Sequence, residues 1–271
     1  MIFSIITGAT CFLAGFLWTR LDMSWWLLPA LAALIYLGGI LLAFLILCFL
    51  CARVDVNKPQ EHDDPFYRKV TYAYIEALVT ALRVKIHVKG LEKLPKDQRF
   101  LLVCNHQALA DPGVLFHVFR SSQLAFVAKK EAKNMFIVGK LMHRTMCQLV
   151  NRENDREALK TILKCIQLIK EDEVSIGIFP EGGIIEVGKL AHFRSGVFKI
   201  AQKADVPVVV CTMKNTDDIL RNAAKLKPTQ VYVNLLDVIP AEDLAGRTTV
   251  DIGEQVYEMM ISDLGESFRP E

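Results

Sequence analysis

The first fifty residues of this chain constrain its class more than anything that follows. Residues 2–18 are apolar apart from small and hydroxyl side chains, Arg20 and Asp22 interrupt, and residues 25–52 then run on without a charge. A helix needs about 20 apolar residues to cross a bilayer. The second run is long enough to span with some tilt, and the first lies near the lower limit. Trp18, Trp25 and Trp26 cluster at the break, where an interfacial aromatic belt would lie. A cleaved signal peptide needs a basic start and a small-residue cleavage site. Here nothing basic precedes the first run and a second apolar run follows it. Residues 1–55 are therefore expected to form a transmembrane helical hairpin, with the first helix either spanning or re-entrant. Arg53, Lys58, Arg68 and Lys69 follow the second run, against Arg20 alone in the turn. By the positive-inside rule this puts the N-terminus and the downstream domain on the cytoplasmic side, at the plasma membrane if the cell is bacterial.

Beyond the hairpin the composition is ordinary. The formal net charge of the 271-residue chain is only +2, with no basic tail and no low-complexity tract, so no nucleic-acid partner is expected. The seven cysteines are Cys11, Cys48, Cys51, Cys104, Cys147, Cys165 and Cys211. They lack zinc-ligand spacing and read as free thiols in a reducing compartment. No metal site and no cofactor is expected.

Residues 56–65 include the polar, proline-bounded stretch PQEHDDP and read as a linker, leaving residues 66–271 as one domain. Residues 66–82 have helical spacing. Strand and helix patterns then alternate: strands over 83–88, 99–104, 124–128, 147–150, 174–179, 206–213 and 229–238, helices over 111–119, 134–145, 156–170, 193–203 and 250–264. RFLLVC and VSIGI are continuous apolar runs, as in strands buried on both faces. The fold class expected is α/β, with a mixed, largely parallel sheet flanked by helices. Asp111 reads as the N-cap of the helix it opens, with Pro112 at the first helical position. In the helix 156–170, Leu159, Ile162, Leu163, Ile166 and Ile169 form the apolar face.

Two polar clusters follow buried strands, where sites form in open α/β sheets. In NHQALAD, His106 stands at a strand end and Asp111 returns five residues later. A carboxylate that close can fix the imidazole tautomer and leave the other ring nitrogen free to take a proton from an alcohol. No serine or cysteine nucleophile adjoins the pair, which favours direct attack by a bound hydroxyl. The spacing alone equally fits a helix cap beside a solvated histidine. The second cluster, FPEGG, puts Glu181 at the rim and leaves backbone amides open at Gly182 and Gly183.

In this order the clusters resemble the glycerolipid acyltransferases, above all the 1-acyl-sn-glycerol-3-phosphate acyltransferases. NHQALAD is similar to their Asn-His-x4-Asp motif and FPEGG to the start of Phe-Pro-Glu-Gly-Thr-Arg. VAKKEAKNMFIVG, CQLVNR and GKLAHFRSGVFKIAQKADVPVVV resemble the blocks around them, and the likeness covers residues 84–213. It implies His106 as general base and Asp111 as its partner, acting on the sn-2 hydroxyl of lysophosphatidate. Asn105, Lys129, Arg152, Glu181, Gly182 and Arg194 are implied as substrate-binding. The donor would be acyl-CoA or acyl-carrier protein, the acceptor a lysophospholipid drawn from membrane lipid, and the product phosphatidate.

The chain departs from the motifs at three places. Gly183-Ile184 stands for Thr-Arg, Phe136 for a proline, and Val210 for another proline. Arginine and phosphate form strong bidentate pairs, so losing one at 184 leaves the headgroup open. Lys189 and Arg194 are the substitutes at hand, and glycerol 3-phosphate, another lysophospholipid or a glycolipid are alternative acceptors. A silent lipid-binding protein on the same fold is the reading from another class. His62, His87, His117, His143 and His192 have no carboxylate at comparable spacing. Lys129, Lys130, Lys133, Lys140 and Arg144 fit either a solvated face or a basic patch against the membrane.

Overall fold

The computed structural model describes residues 1–151 and 154–270. Helices α1 (Ile2–Arg20) and α2 (Leu28–Ala52) pack side by side as a hairpin. Only 17% of the most apolar stretch of α1, and 11% of that containing α2, is buried. Phe12, Phe16, Leu34, Leu41, Phe44 and Phe49 point outward. A helix pair of a soluble core would be covered, so length, composition and exposure together are consistent with membrane association.

The remainder is a seven-stranded sheet with helices on its faces. After α3 (Pro65–Ala81) come β1 (Val84–Lys89), β2 (Leu101–Cys104), α4 (Asp111–Val118), β3 (Leu124–Lys129), α5 (Val138–Arg144), β4 (Gln148–Val150), α6 (Asp155–Lys170), β5 (Ser175–Ile178), α7 (Lys199–Ala204), β6 (Val208–Lys214), α8 (Asp218–Ala224), β7 (Thr229–Ile239) and α9 (Thr249–Leu264). The sheet order is β1-β7-β6-β2-β5-β3-β4. The five strands from β6 to β4 are mutually parallel, and β7 turns antiparallel against β6 and carries β1 parallel beside it. This is the mixed, largely parallel sheet expected. The apolar runs LLVC, SIGI and VVVCTM are buried throughout as central strands, while β1 alternates half-buried and exposed at the edge.

Three local readings change. Asp111 is the first residue of α4 rather than its N-cap, which is Ala110, because its carboxylate turns back toward residues 106–108. In α6, Leu159 and Leu163 are exposed; Ile162, Ile166 and Ile169 of the expected face pack on the core, joined there by Cys165 and Leu168. Helix α8 was not anticipated: it is short, and only Ile219 of its residues is buried. All seven cysteines are free thiols.

Helix α3 joins the hairpin to the sheet. Tyr67 and Tyr74, two turns apart, donate hydroxyl hydrogen bonds to the Leu50 and Ala43 carbonyls of α2, so the two helices run antiparallel along the last turns of the hairpin. On its other side Arg68 is buried, not part of an exposed basic flank. It makes a bidentate pair with Asp63 at 2.6 and 2.8 Å and donates to the Leu124 and Thr145 carbonyls at 2.8 and 3.1 Å. Residues 60–64 are likewise held to the domain, through Gln60 to Arg144 and His62 to Glu173. His62 thus has a carboxylate partner in space that its sequence neighbours did not offer.

Removing one member of a buried pair strands the other. Arg68→Ala is predicted to cost about 3–5 kcal/mol, read as a lowered Tm of the detergent-solubilised protein. Arg68→Met with Asp63→Leu is predicted to recover much of that loss.

Candidate active site

The parallel strands β2, β5 and β3 end on the same edge of the sheet, and β2 and β5 are direct neighbours there through Val103 and Ile178. The loops leaving them therefore meet, and they carry the two polar clusters. Asp111 is wholly buried, and a single oxygen, Oδ2, accepts from three donors: His106 Nδ1 at 2.8 Å, Gln107 N at 2.6 Å and Ala108 N at 2.9 Å. The two amides hold the carboxylate in place, and the carboxylate holds the imidazole by Nδ1. Among the described residues Nε2 has no hydrogen-bond partner. The ring is 14% exposed, so the edge carrying Nε2 is reachable.

The ring plane is set by aromatic packing. Phe179 stacks on His106 at 4.1 Å between centroids and 16° between planes, and Phe126 stacks behind Phe179 at 5.8 Å. Phe126 in turn lies against Gly177, where a Cβ would come within 2.4 Å of its ring. Glycine in the middle of β5 is what lets this stack close up.

Glu181 ties the loops together. Its Oε1 accepts from the His106 backbone amide at 2.6 Å and its Oε2 from the Ala191 amide at 2.9 Å. It is 4% exposed, and burial pushes its carboxyl up to about 7. Gln107 makes a parallel tie, accepting from Gly188 N at 2.6 Å and donating to the Lys189 carbonyl at 3.2 Å. Gln107 and Phe179 were not singled out in the sequence, although both lie inside its two clusters.

The residues expected to bind substrate fall into different places. Asn105 is fully buried, and its amide bonds the Met213 backbone in both directions, at 2.9 and 2.7 Å, locking β2 to β6. Asn105 and Glu181 thus spend their polar atoms on backbone. Gly182 has φ +79, and the Arg194 side chain lies over it: a Cβ there would meet Arg194 Nε at 2.8 Å. Only glycine suits both the backbone angle and the close approach. Lys189, the other basic substitute, donates to the Arg269 carbonyl at 3.0 Å. Lys129 ends β3, two strand spacings or about 10 Å from β2, with its side chain 61% exposed. Arg152 lies outside the described residues. Leu109, Ile185 and Val187 are exposed apolar side chains on the two loops that Gln107 joins.

A histidine held by a buried carboxylate at the carboxyl edge of a mostly parallel sheet is placed to act as a general base toward a bound hydroxyl. Residues 85–214 match the family model for Acyltransferase. The chain is 31% identical over 181 residues to a 1-acyl-sn-glycerol-3-phosphate acyltransferase of Chlamydomonas reinhardtii, covering 64% of this chain and 54% of that protein. It is 26% identical to the 1-acyl-sn-glycerol-3-phosphate acyltransferase of Saccharomyces cerevisiae, over 72% of this chain and 64% of the yeast protein. The chain thus spans roughly half to under two thirds of these two relatives. In fold it matches the crystal structure of PlsC, the 1-acyl-sn-glycerophosphate acyltransferase of Thermotoga maritima, with a TM-score of 0.61 and 22% identity over 73% of this chain and 78% of that one.

A carboxyl whose folded pKa is raised favours the fold when protonated. Its contribution is full below the ordinary value of 4.5 and is lost as pH rises through about 7. Glu181→Gln is neutral at every pH. The Tm advantage of wild type over this variant is therefore predicted to shrink between pH 5 and pH 8, and an advantage that grows over that range contradicts the assignment.

Proposed function

We propose that this protein is a membrane-anchored O-acyltransferase that moves a fatty acyl group from a thioester, acyl-CoA or acyl-carrier protein, to the sn-2 hydroxyl of 1-acylglycerol 3-phosphate, giving phosphatidate. The observation that carries the reading is the His106 ring, held by Nδ1 to a buried carboxylate with Nε2 unoccupied. Nε2 takes the hydroxyl proton as the oxygen attacks the thioester carbonyl. The resulting imidazolium is stabilised by Asp111 and returns the proton to the departing thiolate when the C–S bond breaks. No enzyme nucleophile and no cofactor enters this scheme. Proton transfer of this kind contributes about 10²–10⁴-fold, and positioning of the two substrates contributes much of the rest.

Arg194 is assigned to the acceptor phosphate; the Gly182 amide, expected from the sequence to be open, is already donated to the Phe179 carbonyl at 3.0 Å. The guanidinium lies over the same loop in which Ile184 replaces the family arginine, and a planar fork suits a phosphate. Lys129 adds positive charge at the same sheet edge. The apolar rim of Leu109, Ile185 and Val187 suits an acyl chain. In this reading α1 and α2 hold the domain on the cytoplasmic face of the membrane. Arg53, Lys58 and Lys69 remain exposed after α2, against Arg20 in the turn.

The test is transfer of radiolabelled palmitoyl-CoA to lysophosphatidate by purified protein. Wild type is predicted to make labelled phosphatidate and to prefer lysophosphatidate to glycerol 3-phosphate. His106→Ala is predicted to lose at least about 10²-fold in rate while remaining folded, as shown by a cooperative melt. Unchanged turnover by His106→Ala rejects the mechanism, and turnover only with another acceptor rejects the substrate.

A further inference from the structure

The stretch KKEAKNMFIVGK, residues 129–140, has no part in the proposed chemistry beyond Lys129. It is ordered yet exposes apolar side chains: Met135 is 51%, Phe136 53% and Val138 43% exposed. A 3-10 turn over Lys130–Asn134 leads into these residues, and Gly139 N bonds the Met135 carbonyl at 2.8 Å, so the tip is a fixed feature of the backbone.

Its place in the fold is next to the end of the hydrophobic hairpin. Lys140 Nζ donates to the Val54 carbonyl at 2.6 Å and Lys133 Nζ to Asn57 Oδ1 at 2.8 Å. Val54 and Asn57 directly follow α2, whose last turns expose Leu45, Ile46 and Phe49. The apolar tip thus adjoins the level at which α2 leaves its apolar surroundings. The two segments that meet there are also basic. RVDVNK, residues 53–58, holds two bases and one acid, and KKEAKNMFIVGK holds four bases and one acid. The Lys130 side chain is 62% exposed, and its one salt bridge among the described residues, to Glu157 at 3.7 Å, is a surface pair of the kind that contributes little.

We propose that residues 135–138 form a second membrane contact, in which Met135, Phe136 and Val138 enter the acyl-chain boundary of an anionic phospholipid bilayer while Lys130 and Arg53 meet its phosphates. An apolar tip within a basic collar is the arrangement by which interfacial segments bind anionic membranes. The contact rests on the reading of α1 and α2 as bilayer helices. With the anchor behind α3 and this tip beside it, the domain has two points of attachment and a fixed tilt on the surface.

The test uses the full chain with Trp18, Trp25 and Trp26 changed to Phe and one tryptophan returned at a time, as Phe136→Trp, Leu42→Trp in α2 or Leu226→Trp. Leu226 is 78% exposed, next to β1 at the far edge of the sheet. Each protein is placed in nanodiscs of phosphatidylcholine and phosphatidylglycerol, with and without bromine on the acyl chains. Bromine is predicted to quench emission at 136 and 42 and to leave 226 bright. Replacing phosphatidylglycerol by phosphatidylcholine, or adding Arg53→Gln with Lys130→Gln, is predicted to weaken quenching at 136 only. Quenching at 42 with none at 136 overturns this proposal alone. Bright emission at both positions overturns it together with the anchor on which it rests. None of these readings depends on the enzymatic activity.

Discussion

One carboxylate oxygen organises the site. Asp111 Oδ2 takes an imidazole N–H and two backbone amides from consecutive residues, 106 to 108. These three bonds replace the hydration of the buried carboxylate at Oδ2, while Oδ1, also buried, has no partner among the described residues. Those same bonds close the loop NHQALAD into one conformation and start α4 at the residue that accepts them. The imidazole orientation, the loop shape and the helix start are one event rather than three. Removing the carboxylate would release all of them together.

The second buried carboxylate extends this order across the site. Glu181 reaches the backbone of His106 on one side and of Ala191 on the other. The loop after β5 thereby brings Gly182, and Arg194 lying over it, to the edge where the histidine stands. Phe179 lies between these polar ties as a flat support for the ring. The site is therefore built almost entirely from two strand-end loops braced on backbone, with few polar side chains left to face a ligand. The same pattern appears in α3, which bonds Tyr67 and Tyr74 to the hairpin and Arg68 to the carbonyls of Leu124 and Thr145.

Much of this was legible in the sequence because the central strands are unbroken apolar runs and the motifs sit at their ends. The hairpin was legible because its apolar runs are too long for most other uses. What was not legible depends on neighbours distant in the chain. Arg68 counted as part of a basic flank until Asp63, Leu124 and Thr145 closed around it. The ties of Glu181 to the amides of His106, 75 positions earlier, and of Ala191 could not be read from its sequence neighbours. Leu159 and Leu163 fit an amphipathic face that the sheet covers from a slightly rotated direction. Helix α8 is too short, with too few buried positions, for periodicity to reveal it.

The central claim is that Asp111 fixes His106 with its proton on Nδ1 and its lone pair on Nε2. It is tested most directly by ¹⁵N NMR of histidine-labelled protein, with the His106 signals identified by their loss in His106→Gln. The account predicts, for neutral His106, a protonated Nδ1 and an unprotonated Nε2, with that preference lost in Asp111→Ala. A His106 ring protonated on Nε2 and bare on Nδ1 would contradict it.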